Sequence, residues 1–205
     1  MLIGLIGATG RTGRTILRLG QERGLRLRCL VRTPHLNDEI LDNVEAIQGD
    51  CLDEASVARL AHGCNAVISV VGHVKGSPAD LLARCAKNVL ISRPRRLVWL
   101  TGAAVDLHGD RKKFVDEIAS SGVRLFAGRL VRDSQDAADL VYAAGTDIVI
   151  VRAGPLTDSP PRGAWRVSQD RLPSNRPMSR HDVAAFLLET AIEPEHAGRT
   201  PFISY

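Results

Sequence analysis

The sequence predicts an α/β protein in which a parallel sheet is wound on both faces by helices, and three observations carry that prediction. Short apolar runs alternate with longer segments of helical period along nearly the whole chain. That order lays strands side by side in parallel and covers both faces with the crossovers. Leu2 to Ile6 forms a continuous apolar run, as a central strand buried on both faces does. A glycine cluster, Gly7 to Gly13, stands at the first passage from strand to helix.

Leu2 to Ile6 reads as the first strand, and Arg11 to Gln21 as a helix, with Ile16, Leu17 and Leu19 set among polar residues. Leu25 to Val31 is a second strand, followed by a polar stretch from His35 to Asn43. Val44 to Gln48 is the third strand, Glu54 to Ala61 a helix, Ala66 to Val71 an unbroken strand and Ala79 to Ile91 a helix. Leu97 to Leu100 is the fifth strand. The second half continues the alternation with helix Asp136 to Ala144, strand Ile148 to Val151, helix His181 to Ala191 and a last strand near Phe202. Ala103 to Arg132 is the least regular stretch, rich in Asp, Gly and Lys, and is expected to cross the surface as a lid, a binding loop or a contact for a protein partner. No repeat or linker divides the chain, so residues 1–205 are expected to form one doubly wound domain. Its phosphate and adenosine side falls mainly in 1–75, its substrate side mainly in 101–165.

Composition narrows the function classes. At 205 residues, 44% hydrophobic and 24% charged, the chain is that of an ordinary globular protein. Its longest apolar runs are broken by Arg or Gly well short of the roughly 20 residues of a membrane helix. The start, MLIGLIGATG, has neither a basic leader nor a small-residue cleavage site, so no signal peptide is expected. The formal net charge is +4, and of the 27 basic residues only Lys75, Lys87, Lys112 and Lys113 are lysine. The arginines are scattered from Arg11 to Arg199 without interleaved aromatics, a pattern that suits a solvated surface with a few phosphate contacts better than a nucleic-acid footprint. Cys29, Cys51, Cys64 and Cys85 show no CxxC pairing, and His62 beside Cys64 is short of a metal-ligand set. Cys29 and Cys64 lie in or beside apolar runs, where reduced, buried cysteines sit. A reducing cytoplasm is the expected location.

Gly7-Ala8-Thr9-Gly10-Arg11-Thr12-Gly13 carries the clearest chemistry. Between a first strand and a first helix, Gly7 permits a tight turn, Gly10 lets backbone approach a pyrophosphate, and Gly13 lets the helix pack closely. Free N–H groups and the positive end of the helix dipole then face the phosphates, with Thr9 and Thr12 in the same turn. No lysine follows Gly13, which excludes the loop of nucleoside triphosphatases and leaves a dinucleotide in a Rossmann-like fold. The second strand ends Cys29-Leu30-Val31-Arg32-Thr33, where NAD-preferring sites place an acid. Arg32 offers a fork of donors suited to a 2′-phosphate, Thr33 a hydroxyl and Arg11 a second charge. NADP(H) is therefore expected over NAD(H). Asp50, after the third strand, is placed either to accept from the adenine amino group or to cap a helix. Its neighbour Cys51, and Val71 with Gly72 after the fourth strand, complete the expected adenosine side.

GATGRTG, the VRTP segment, Gly49-Asp50, AVISVVG, RLVWLTGA, IVIVRAGPLTD, GAW and SRHDVAAFLL together resemble the atypical short-chain dehydrogenases of the NmrA-like, NAD(P)H-binding group. Within it the chain is most similar to the small NADPH-dependent flavin and biliverdin-IXβ reductases. The resemblance implies an NADP-dependent single-domain reductase, a monomer or loose homodimer, that passes hydride to flavin as substrate or to another planar small-molecule acceptor. The Tyr-x-x-x-Lys pair of ordinary short-chain dehydrogenases is missing: Tyr142 is followed four places on by Thr146, and Tyr205 is terminal. Gly102 and Pro155 stand where the flavin and biliverdin reductases have a serine and a histidine. Thr101, at the end of the fifth strand, is left as the candidate to touch nicotinamide or substrate, with Gly154, Pro155 and Leu156 lining the nicotinamide pocket. His73 and Lys75 are further candidates for contacting substrate charge. Ser179 with Asp182 reads as a capping-box start to the last helix, Arg152 as a buried structural ion pair, and Arg111-Lys112-Lys113 as a solvated face. An NADP(H)-sensing regulatory protein without catalysis is the alternative to the reductase.

Overall fold

The structure, a computed structural model, describes residues 1–33, 43–108, 110, 124–145, 147–174 and 176–205. Most of the polar stretch His35 to Asn43 and the charge run at 111–113 lie outside the described residues.

Strands β1 (Leu2–Ile6), β2 (Arg26–Val31), β3 (Val44–Gln48), β4 (Ala66–Ser69), β5 (Leu97–Gly102) and β6 (Ile148–Ala153) are consecutive parallel neighbours in the order β3-β2-β1-β4-β5-β6. The sheet is extended by β10 (Phe202–Ser204), parallel to β6, and by the edge strand β8 (Arg166–Ser168), antiparallel to β10. The sheet is thus mostly rather than wholly parallel. Helices α1 (Arg11–Glu22) and α5 (Arg180–Ile192) cover one face, while α2 (Glu54–Ala61), α3 (Leu81–Ile91) and α4 (Arg124–Ala143) cover the other. The apolar residues of the central strands divide between these layers: Ile3, Leu5 and Ile68 pack with Ile16 and Leu187, whereas Ile6, Val67 and Trp99 pack with Leu60, Val89 and Val141. Two short strands, β7 (Leu156–Thr157) and β9 (Met178–Ser179), pair beside the main sheet.

Several boundaries shift by one or two residues from those expected, and three differences have a clear physical reason. The fourth strand ends at Ser69, because β1 turns away at Gly7; the Val70 N–H still reaches the Ile6 carbonyl at 3.0 Å, but Val71 has no strand beside it. The fifth runs on to Gly102 because β6 stays paired with it to Ala153. Helix α4 begins at Arg124, so the last part of the expected surface excursion is helical. The part of α4 before the expected helix Asp136 to Ala144 was hidden in the sequence because its apolar Leu130 and Val131 stay exposed and mark no buried stripe.

Strand order decides where a ligand can enter. The chain runs outward from β1 to β3, crosses back to β4, and then runs outward the other way, so the loops after β1 and β4 diverge at the carboxyl ends of adjacent strands. In open α/β sheets that crevice is the ligand site.

Candidate functional site

A cavity of about 360 Å³ opens at this crevice. Its floor is the turn after β1, with Ile6, Gly7, Thr9 and Gly10, and the turn after β4, with Val70, Val71 and Gly72. One wall is the end of β2 and the loop after β3: Leu30, Val31 and Arg32 beside Gly49, Asp50, Cys51 and Leu52. The opposite wall is the segment from Val74 to Pro78, with Leu81 behind it.

Glycine is required where the backbones meet. Gly7 has φ +92°, the left-handed region, and a Cβ there would lie 2.9 Å from the Val70 carbonyl. At Gly13 a Cβ would lie 2.1 Å from the Gly7 oxygen and 2.7 Å from the Ala8 Cα, so α1 can start this close to the turn only without a side chain. Gly10 occupies the N-cap position of α1 without a side-chain cap, and the first turn has no acid. The N–H groups of Arg11, Thr12 and Gly13 are therefore left for a ligand, at the positive end of the helix dipole. The Gly10 N–H is already spent on the Gly7 oxygen at 3.1 Å, which holds the turn in shape, and Arg14 Nε ties down the Thr9 carbonyl at 3.1 Å. This cradle fits a pyrophosphate.

Arg32 stands exposed on the cavity wall at the carboxyl end of β2, with Thr33 directly beyond it. Arg11 corrects an expectation. Its guanidinium does not join Arg32 but lies 3.6 Å from Asp158, a carboxylate that also takes Arg180 at 2.6 Å. Pointing out from the first turn of α1, Arg11 reaches the segment after β7 rather than the end of β2. Asp50 turns its Oδ1 to the Leu52 N–H at 2.9 Å in a local turn, and the cap of α2 is made by Asp53 instead, whose carboxylate accepts from the Ser56 N–H at 3.0 Å. Cys51 lines the cavity in contact with buried Cys85; the hydrogen bond from Cys85 draws its thiol pKa down, while the same contact and burial push Cys85 up. All four cysteines are free, and burial raises Cys29 to about 12.

On the other half of the crevice, Thr101 is half-buried at the end of β5, in register with Arg152, outside the cavity. Gly154, Pro155 and Leu156 follow β6 there, and the Pro155 carbonyl accepts from the Met178 N–H at 2.8 Å. Arg152 is fully buried as expected, paired with Asp110 and donating to the Thr200 carbonyl at 2.7 Å. Ser179 does cap α5, through the His181 N–H at 3.3 Å. Asp182 does not complete a capping box: it points away to accept from the N–H groups of Arg162 and Gly163 at 2.8 and 3.1 Å.

His73 is likewise not aimed at a ligand. Its Nε2 lies 2.7 Å from the buried carboxylate of Asp133 on α4, which also accepts from the Leu82 and Ala83 N–H groups at 2.7 and 3.0 Å. Asp133 thus does the work that Asp80, at the cap position of α3, leaves undone, and it anchors the start of the segment walling the cavity. Lys75 stays on that wall. Reading the sequence missed Val74, Ser77 and Pro78, although the Gly-Ser-Pro turn signal at 76–78 marks a loop folded back over a strand end. Asp133→Ala is expected to lower stability by about 3 kcal/mol, because two helix-terminal donors and an imidazole lose a buried acceptor. Asp133→Asn, which keeps one acceptor oxygen, should lose less. Urea denaturation measures both, and an unchanged midpoint for the alanine variant would refute the anchoring role.

A cradle built from first-turn N–H groups, a left-handed Gly7 and a basic group at the end of β2 is a dinucleotide site in its form. The family model described as NAD(P)H-binding matches residues 7–194. The chain belongs to this NAD(P)H-binding family. The matched span runs from Gly7 to just beyond α5, so it takes in the whole crevice. Among solved structures, the chain is similar to a protein of Burkholderia pseudomallei described as a candidate exported protein, with TM-score 0.81 and 22% identity over 100% of both chains. It is also similar to ChuY, an anaerobillin reductase of Escherichia coli O157:H7, with TM-score 0.80 and 20% identity over 99% of this chain and 96% of that one. A Streptococcus pneumoniae protein described as a candidate NADH-flavin reductase matches with TM-score 0.80 and 18% identity over 99% and 98%. At these identities the likeness shows a shared fold. Among the described residues no helix is long and apolar enough to cross a membrane.

Proposed function

We propose that the chain is an NADP(H)-dependent reductase that passes hydride from the nicotinamide to a flavin or another conjugated small-molecule acceptor. The observation that carries this reading is the crevice cavity with a pyrophosphate cradle at its floor and Arg32, rather than an acid, on its adenosine wall. The N–H groups of Arg11, Thr12 and Gly13 would hold the pyrophosphate, the Arg32 fork with the Thr33 hydroxyl the 2′-phosphate, and the Asp50 carboxylate the adenine amino group. NADPH supplies the two electrons as hydride. Thr101, Gly102 and the Gly154–Leu156 segment then form the surface on which a planar acceptor stacks, and positioning is the main contribution asked of the protein. With no Tyr-x-x-x-Lys acid, the fitting acceptor is one whose reduced nitrogen takes its proton from water, as a flavin does. The similarity to proteins named for flavin and anaerobillin reduction supports the same class.

Arg32→Ala should weaken NADPH by about 10- to 100-fold, the worth of one or two charge-assisted hydrogen bonds, and leave NADH nearly unaffected. The test is NADPH absorbance with FMN, FAD, biliverdin and quinones, run beside the variant. Turnover that falls in Arg32→Ala is the expected result. Equal affinity for the two cofactors would remove the NADP preference. Tight NADPH binding with no turnover on any acceptor would overturn the reductase and favour an NADP(H)-sensing protein.

A further inference from the structure

A second opening of about 450 Å³ lies beyond the nicotinamide half of the crevice, lined by Arg162, Arg166, Arg176, Pro173, Ser174 and Tyr205. It is reached at the carboxyl edge of the sheet, where β6, β10 and the turn of β7 against β9 come together. Ala153 at the end of β6 stands against Ile203 in β10, Ser204 against Arg166 in β8, and Leu156 against Met178. The three arginines come from three separate segments, yet they converge around the terminal Tyr205. Among the described residues none of them has an acidic partner within ion-pair distance, whereas Arg11, Arg28, Arg152 and Arg180 do.

The opening is held in place by a buried carboxylate. Asp182, at 1% exposure, accepts from the backbone N–H groups of Arg162 and Gly163 and from the Tyr205 hydroxyl, and the Tyr205 oxygen accepts in turn from the Ser179 N–H at 3.0 Å. The Arg162 guanidinium lies over the Tyr205 ring, 4.2 Å from its centroid. Asp182 is thus spent on fixing the loop and the ring, and among the described residues it forms no ion pair with the exposed guanidinium groups around them. Arginine forks on a preset frame match oxyanions, carboxylate or phosphate.

We infer that this opening is the acceptor's anion subsite: Arg166 and Arg176, with Arg162 stacked on Tyr205, hold a carboxylate or phosphate on the substrate that is reduced at Thr101 and Gly154. The inference rests on the reductase reading for the identity of the ligand as acceptor. It adds the substrate class: a conjugated acceptor that carries at least one oxyanion, held at a distance from the reacting ring.

The test titrates the full chain, with NADP⁺ saturating the cofactor site, against two matched pairs: FMN with riboflavin, and a linear tetrapyrrole dicarboxylate with its dimethyl ester. The wild type should bind the charged member of a pair about tenfold more tightly, as one charge-assisted contact at an exposed site allows. In Arg166→Gln/Arg176→Gln the preference should fall below about twofold, with NADPH affinity and melting temperature unchanged, since both side chains are exposed. A preference in the first pair alone identifies a phosphate, in the second a carboxylate, and either supports the subsite. No preference for the charged member in either pair, absence of binding included, overturns it, as does a preference that survives the double variant. Loss of NADPH oxidation on every acceptor alongside an intact preference would overturn the reductase and leave the subsite standing.

Discussion

Arg152→Ala is expected to lower the stability of this protein by about 3–5 kcal/mol, a large share of the roughly 5–15 kcal/mol that holds a domain folded. The guanidinium, 0% exposed, is spent in full. It pairs with Asp110, donates to the carbonyls of Thr200, Val105 and Gln169, and stacks 3.6 Å from the centroid of Phe202. Truncation leaves Asp110 buried without a counter-charge and three carbonyls without a donor, in addition to an empty volume beneath β10. Arg152→Lys should recover only part of the loss, because an ammonium cannot span partners set around a planar fork. Arg152→Met combined with Asp110→Leu should lose less than the sum of the single changes, since the orphaned charge goes with its partner. Urea denaturation of these variants, with the single changes Arg152→Met and Asp110→Leu, measures this. A loss below about 1 kcal/mol for Arg152→Ala would mean that the network is not what ties the segment after β5 to β6 and β10.

Gly13→Ala should abolish most cofactor binding. The added Cβ meets backbone, at 2.1 Å from the Gly7 oxygen and 2.8 Å from the Ala8 oxygen, so no side-chain rotation relieves it and α1 must move off the turn. Overpacking of this kind costs about 1–3 kcal/mol. Because the displaced helix start would be the phosphate cradle of the proposed cofactor site, NADPH affinity should fall about tenfold or more. Gly128→Ala is the control: it lies inside α4 with nothing within 4 Å of the added carbon, and should be neutral or stabilising by about 0.5–1 kcal/mol. NADPH titration and thermal unfolding of both variants decide the matter. A Gly13→Ala protein that binds NADPH as the wild type does would show that the first turn of α1 is not where the phosphates sit.

Most strands and helices were legible in the sequence: β1 through β6, α1, α2, α3, α5 and the second half of α4 follow the alternation of short apolar runs with longer segments of helical period. The glycine loop was legible for a related reason: its requirement is local, a tight turn and a bare helix start within seven residues, and the glycines at 7 and 13 show directly in the chain. Arg32 was legible because its position follows from where β2 stops. Of α4 only the second half was legible, as the helix over Asp136 to Ala144; its first half was not, because Leu130 and Val131 stay outside and the stripe that would announce a helix is absent there. The edge strand β8 was hidden for another reason: three residues, two of them exposed, carry no pattern of their own and become a strand only because β10 lies alongside.

By itself, then, the sequence determined the alternation of strands and helices, the glycine turn into α1 and the basic end of β2, since each depends on residues near one another in the chain. The tertiary structure alone decided which polar side chains share a partner. Asp133 reaches back some 50 residues to start α3, Arg152 reaches 48 residues forward to Thr200, and Arg11 turns to Asp158 rather than to Arg32. It also gathered Arg162, Arg166 and Arg176 around the last residue. The physical reason is that ion pairs and caps form between groups brought together by sheet order and crossover, and periodicity within a segment carries no record of what the neighbouring element will present to it.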